Sequence, residues 1–161
     1  MPAPPRHTDA AAAVTDLIIE VFRLNGRLLL AGDRLMAPLG LTSARWQVLG
    51  AIAMAERPEP VARLARTMGL TRQGVQRIVN ELAAEGLVVH LDNPHHARSR
   101  LVGLSDAGKA AYRAAGSIQV PWANTLAEGL AAPDVAAAAR VLAALRARMA
   151  GDAADAGAAP A

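Results

Sequence analysis

The sequence predicts a mainly α-helical fold carrying one small β-hairpin, an α+β arrangement, and three observations lead there. Apolar residues recur at three- and four-residue steps over most of the 161-residue chain, the signature of helices with one buried face. A short helical pair across residues 60–86 turns on a single glycine, Gly69, as a helix-turn-helix does. Two β-prone runs, residues 87–91 (LVVHL) and 100–104 (RLVGL), follow directly and flank a turn-forming loop, which reads as a hairpin.

In chain order, residues 1–9 are proline-rich and polar and read as a disordered tail, as do residues 151–161 (GDAADAGAAPA). Val14, Leu17, Ile18, Val21, Phe22, Leu28, Leu29, Leu35 and Met36 mark one long amphipathic helix within residues 10–40, bending near Gly32 and ending before Pro38. Thr42 and Ser43 supply an N-cap for a second helix with Trp46, Leu49, Ile52 and Ala53 inward, which ERPEP, residues 56–60, stops. Helices over residues 61–67 and 71–85 follow, the second capped by Thr71 and closed by Gly86. After the hairpin, Ser105 and Asp106 cap a helix that Pro121 should kink. A last helix begins near Pro133 and carries Val135, Ala138, Leu142, Leu145 and Met149 at alternating steps of three and four, a short coiled-coil-like seam.

Composition narrows the function. The chain has no cysteine, which excludes disulfides, thiolate metal sites and cysteine nucleophiles and makes the cytoplasm the expected location. The start lacks the layout of a signal peptide, and no apolar run approaches the ~18 residues of a membrane span. Charge is unevenly distributed: residues 41–115 hold ten basic and six acidic side chains, the flanks seven and eight. Sixteen of the seventeen basic residues are arginine, the side chain suited to bidentate phosphate and guanine contacts. Only four residues are aromatic. Alanine-rich terminal helices with an apolar stripe and so few large rings are better explained by a core shared with a second copy than by a monomer surface.

The strongest signal is PVARLARTMGLTRQGVQRIVNELAAEG, residues 60–86. A helix-turn-helix needs a small residue where its helices cross, a glycine in the turn, and apolar residues at fixed offsets to seat the second helix. Ala65, Gly69, Val75 and Ile78 fill those places, with Leu64, Val79 and Leu82 completing the buried side. That leaves Thr71, Arg72, Gln73, Gln76, Arg77 and Asn80 outward, a set able to read base edges and grip phosphates. A hairpin placed directly afterwards makes this a winged helix-turn-helix, with DNPHHARSR, residues 92–100, as the wing tip.

The stretches LTSARWQVL (41–49), VARLARTMGLTRQGVQRIVNELAAEGLV (61–88), the wing and LVGLSDAGKAAY (101–112) resemble the MarR (multiple antibiotic resistance regulator) family of transcription factors, over residues 10–150. The run NPHHARSRLVGLSDAG, 93–108, is the most specific part, since many unrelated regulators share the helix-turn-helix alone. The resemblance implies a homodimer with interleaved first and last helices, a pseudo-palindromic operator in double-stranded DNA, and release by a small, often aromatic or anionic ligand. It divides the chain into a dimerisation helix at 10–40, the DNA-binding unit at 41–104 and dimerisation helices at 105–150, with Leu17, Val21, Leu142, Leu145 and Met149 at the dimer contact. It also implies that Arg98 enters the minor groove, helped by Arg100. The family's wing carries an acid two residues before that arginine. Here the place holds His96, so Arg98 is either less constrained or supported by Asp92, and protonated His95 and His96 add positive charge beside phosphates. An effector cavity is expected near Phe22, Arg23, Met36, Trp46 and Met54, where Trp46 and an arginine would suit an aromatic acid.

Other chemistries have less support. His90, His95 and His96 fall within seven residues, but adjacent histidines on a loop tip do not converge and a structural zinc wants a fourth ligand. No metal or cofactor is expected. No G-x-S-x-G, phosphate-binding glycine loop or H-E-x-x-H is present, and Glu81 and Glu85, one turn apart, read as surface charge on a solvated helix face. The chain therefore reads as a non-enzymatic, DNA-binding repressor. The alternative is a winged-helix module that binds protein or serves an architectural role without reading a DNA sequence.

Overall fold

The structure, a computed structural model, describes residues 7–94, 96 and 98–156. The first six residues, the last five, His95 and Ala97 lie outside the described residues, and with them residues 1–6 and 157–161 of the two tails read as disordered. Helix α1 spans Asp9–Met36, and its first turn is closed by Thr8, whose Oγ1 accepts the Ala11 N–H at 3.2 Å. A single 3₁₀ turn, Ala37–Leu39, follows it. Gly32, read from the sequence as a bend, serves a close approach: a Cβ there would fall 2.6 Å from Ser43 Oγ. At the same junction Asp33 Oδ1 accepts the Ser43 backbone N–H at 2.7 Å, so the end of α1 holds the start of the next helix.

Helix α2, Ser43–Met54, is capped by Thr42, as expected. Its buried residues are Ser43, Val48, Leu49 and Ile52, while Trp46 is half-buried against the core. The inward face differs from the sequence expectation because α2 is the central helix, in contact with α1 and with the helices and sheet that follow, so more than one of its sides is covered. Residues 59–60, expected only to end this helix, form strand β1.

Helices α3, Val61–Met68, and α4, Arg72–Ala84, make the helix-turn-helix. Gly69 sits between them at φ 67°, a left-handed conformation that a side chain would strain, and its N–H returns to the carbonyls of Ala65 and Arg66. Val75, Ile78, Val79 and Leu82 of α4 are all buried, as the sequence predicts, together with Leu64 and Ala65 of α3. Each of the valine, leucine and isoleucine side chains stabilises the seat by ~1.5–3 kcal/mol relative to exposure.

Strands β2, Val88–Leu91, and β3, Leu101–Leu104, form the expected hairpin. The sheet has three strands rather than two, in the order β1-β3-β2 and antiparallel throughout. Pro60 lies opposite Leu101 on the edge strand, where its missing N–H costs no internal ladder bond. Val88 and Val102 are buried, and His90, directly opposite Val102, shares their face, while Val89 and Leu91 are exposed.

Helix α5, Asp106–Ala127, starts on Ser105, whose Oγ accepts the Gly108 N–H at 3.0 Å and donates to the Gly86 carbonyl at 2.6 Å. Gly108 is required by contact: a Cβ would fall 1.9 Å from the Leu87 carbonyl oxygen. The chain divides into two compact units, one through Val120 and one from Pro121. The division falls inside α5, after Ala115, which is buried in the first unit's core, and Ile118, which packs against that core. The second unit holds the end of α5 and helix α6, Ala132–Ala156. Helix α6 continues six residues past the expected end at 150, through alanine-rich sequence that contains no proline.

The contact at Gly108 gives a direct check. Gly108→Ala is expected to lower the unfolding free energy by ~2 kcal/mol or more, since the methyl group would displace backbone. Urea unfolding followed by circular dichroism reads this, and an unchanged midpoint would contradict the packing.

Candidate nucleic-acid interface

The outward face of α4 begins at its cap. Thr71 Oγ1 accepts the Gly74 N–H at 3.1 Å, so this residue, expected to touch a ligand, first holds the helix start, and its hydroxyl proton remains a donor. Arg72, Gln73, Arg77 and Asn80 are exposed and Gln76 is half-buried. Gln76 Nε2 donates to Asn80 Oδ1 at 2.9 Å, and Arg77 Nη1 pairs with Glu81 Oε1 at 3.0 Å. Both pairs are one turn apart on an exposed face and exchange readily for outside partners.

The wing tip is held by Asn93, whose Nδ2 donates to the Ser99 carbonyl at 2.8 Å across the loop. Arg100 Nη2 donates to the His90 carbonyl at 3.0 Å, fixing one arginine along the edge of β2. Arg98 is exposed and forms no ion pair among the described residues, with Asp92 or otherwise. The acid that the resemblance would place beside it is not replaced by Asp92.

Helix and wing meet. A groove of about 240 Å³ is lined by Val61 and Ala62 of α3, Arg72 and Gln76 of α4, His90 of β2, and Arg98, Ser99 and Arg100 of the wing. Three guanidinium groups around one small groove repel one another, and a bound anion with several oxygens would relieve that repulsion through charge-assisted hydrogen bonds. Of the residues expected to bind, the groove gathers Arg72, Gln76, Arg98 and Arg100; Gln73 and Arg77 continue the surface along α4 beside Asn80. His90 and Ser99 were missed as part of this site. The alternation of β2 was the available signal for His90, since it puts that side chain on the face of Val88.

Arg45 was also missed. Its Nη1 donates to the Gly40 carbonyl at 3.3 Å and its Nη2 pairs with Glu85 Oε2, so a largely buried guanidinium ties the start of α2 to the C-cap of α4. Glu81 and Glu85, read from the sequence as solvated charge, are both ion-paired.

The residues expected near an effector differ widely in exposure. Met36 is fully buried in the core, Trp46 packs against that core, Arg23 pairs with Glu20 at 2.6 Å, and Phe22 and Met54 are 73% and 80% exposed. Of the expected dimer residues, Leu17, Val21 and Leu145 are half-buried, whereas Leu142 and Met149 are exposed. No group of three or more His, Asp or Glu side chains able to hold a metal occurs among the described residues, and His95 lies outside them. Among the described residues no helix is long and apolar enough to cross a membrane.

A helix-turn-helix whose second helix turns Arg, Gln and Asn outward beside a three-stranded wing defines a winged helix-turn-helix protein. The chain belongs to the MarR family of transcription regulators, whose family model matches residues 39–99. An uncharacterized protein of Mycobacterium tuberculosis is 36% identical over 117 residues, 73% of this chain and 80% of that one. Among solved structures, CouR from Rhodococcus jostii bound to p-coumaroyl-CoA superposes with a TM-score of 0.73 at 24% identity, covering 81% of this chain and 92% of its own. A mutant MarR from E. coli complexed with operator DNA gives a TM-score of 0.66 at 26% identity, covering 80% and 94%.

The cap can be tested apart from any ligand. Thr71→Ala is expected to cost about 1 kcal/mol of stability and Thr71→Ser much less, measured by chemical denaturation. Equal stability of the two variants would remove the capping role.

Proposed function

We propose that this chain acts in the cytoplasm as a homodimeric repressor that binds a pseudo-palindromic operator in double-stranded DNA and is released by a small ligand. The observation that carries the reading is the groove in which Arg72 and Gln76 of the recognition helix meet Arg98 and Arg100 of the wing. In duplex DNA, the sugar-phosphate backbone separates the major groove from the minor groove. A helix in one and a wing in the other must therefore straddle a phosphate strand, and a cationic groove between them is the matching surface. Thr71, Arg72, Gln73, Gln76 and Arg77 would then face the major groove, with Arg98 in the minor groove and Arg100 on the backbone. The E. coli MarR mutant complexed with operator DNA supports duplex DNA as the partner.

Apolar exposure supports the homodimer. Helix α1 buries only Gly32 and Met36 within the chain while Ile18, Ile19, Phe22, Leu24 and Leu30 stay exposed, and the described side chains of α6 include none that is buried. Helices this apolar need a partner surface, and Leu17, Val21, Leu142, Leu145 and Met149 would lie in it. The bound p-coumaroyl-CoA of CouR, an aromatic thioester with an anionic carrier, supports a ligand of aromatic and anionic character. Phe22, Arg23, Trp46 and Met54 remain candidates to contact such a ligand in the dimer, with Met36 behind them. Family members regulate by binding DNA, and catalysis, a metal and a cofactor have no part in the proposal.

Two measurements test it. On a mixed-sequence duplex, log affinity should fall linearly with log salt concentration, and Arg72→Ala, Arg98→Ala and Arg100→Ala should each reduce that slope by about 1. Wild-type slopes in all three would contradict the assignment of helix and wing. Sedimentation should give twice the 16.7 kDa chain mass, and Leu142→Glu combined with Leu145→Glu should shift it to monomer; a wild-type monomer would rule out the dimer.

A further inference from the structure

Arg45 and Glu85 each stand at the helix end that disfavours them. Arg45 lies in the first turn of α2, of which it is the one charged side chain, and Glu85 is the C-cap of α4. A helix carries partial positive charge at its N-terminal end and partial negative charge at its C-terminal end, so a cation in a first turn and an anion at a C-cap each weaken their own helix. Neither helix gains from the charge it holds. The two side chains nevertheless pair across forty residues of chain, the arginine only 13% exposed and the glutamate 51%.

The guanidinium makes a second bond that the ion pair alone does not need. Its Nη1 donates to the carbonyl of Gly40, the C-cap of the 3₁₀ turn that follows α1, at 3.3 Å, while its Nε is buried with no hydrogen-bond partner among the described residues. This junction is itself fixed, since Asp33 holds the Ser43 N–H and the Leu41 N–H returns to the Met36 carbonyl at 3.3 Å. On the other side, Glu85 precedes Gly86, whose left-handed turn leads into β2 and whose carbonyl accepts from Ser105 Oγ. Arg45 therefore joins the end of α1 to the point where α4 gives way to the wing. Helix α4 has 13 residues and is about 20 Å long, so a tilt of a few degrees about its Glu85 end displaces Arg72 by roughly 1 Å. Hydrogen bonds to base edges do not survive such a shift, whereas attraction to phosphates falls off only slowly with distance.

We propose that Arg45 is a positioning residue for sequence-specific reading of DNA: held between the Gly40 carbonyl and Glu85, its guanidinium sets the tilt of α4 and with it the reach of Arg72, Gln73 and Gln76 to base edges. It acts through α4 and touches no DNA itself. The inference rests on the DNA reading proposed above.

Affinities of the full chain are measured for a duplex enriched from a random pool and for a mixed-sequence duplex of equal length, at a temperature where circular dichroism shows every variant folded. Arg45→Gln and Glu85→Gln should each lower the ratio of the two affinities about tenfold, the discrimination of one displaced base contact. Mixed-sequence affinity and its salt dependence should keep their wild-type values, because no phosphate contact is removed. The exchanged pair, Arg45→Glu with Glu85→Arg, separates position from stability. It puts each charge at the favourable helix end, so its melting temperature should equal or exceed that of wild type. A carboxylate at position 45 cannot donate to the Gly40 carbonyl, so the affinity ratio should stay low. A wild-type ratio in the exchanged pair would reduce Arg45 to a stabilising partner, and a smaller salt slope in Arg45→Gln would make it a phosphate contact; either overturns the proposal, as do wild-type ratios in both single variants. Should the exchanged pair fail to fold, Glu85→Gln decides, since Glu85 is exposed and lies outside the core. If the pool yields no enriched duplex for the wild type, the repressor reading falls together with this one, whereas a discriminating wild type with unaffected variants overturns this one alone.

Discussion

The structure depends on how α4 is seated. Four apolar side chains, Val75, Ile78, Val79 and Leu82, are buried together against α2 and α3, and their combined burial makes any rotation of the helix about its axis costly. Because the helix period is fixed, seating that stripe determines which residues face outward: Arg72, Gln73, Arg77 and Asn80, with Gln76 at the margin. The outward polar surface is a by-product of the core. Arg45 adds a second fastening at the far end of α4 through Glu85, and the Thr71 cap holds the near end.

The wing obeys a similar rule with period two. Burying Val88 and Val102 sends His90 toward the arginine groove and Val89, Leu91 and Gly103 to the opposite face. Slipping β2 by one residue would exchange these sets and empty the groove of its histidine. Strand β1 pins the third edge, so the two outer strands flank β3, whose register sets the position of the wing loop relative to α4.

Much of this was legible in the sequence because it is local and periodic. The stripe of α4, the turn at Gly69, the cap at Thr71 and the hairpin each follow from spacing that a few residues reveal. What was not legible depends on neighbours far along the chain. Two residues, Glu59 and Pro60, become a strand only because β3 offers an edge, and Val48 is buried because α2 is enclosed on several sides. Arg45 and Glu85 are forty residues apart and carry no shared pattern. Met36 has the spacing of a lining residue and the burial of a core residue, and only packing tells the two apart. Helix α6 ran past its expected end because alanine continues a helix as readily as a small-residue tail resembles disorder.

If the seating of α4 exists to present a reading surface, the chain must prefer some duplex sequences over others. Selection of bound duplexes from a random pool tests this most directly. A reproducible inverted repeat with half-site centres about 10 bp apart is expected, and Arg72→Ala should relax the preference at one position in each half-site. Recovery of no enriched sequence under conditions where the protein is folded would contradict it and leave a winged helix that does not read DNA.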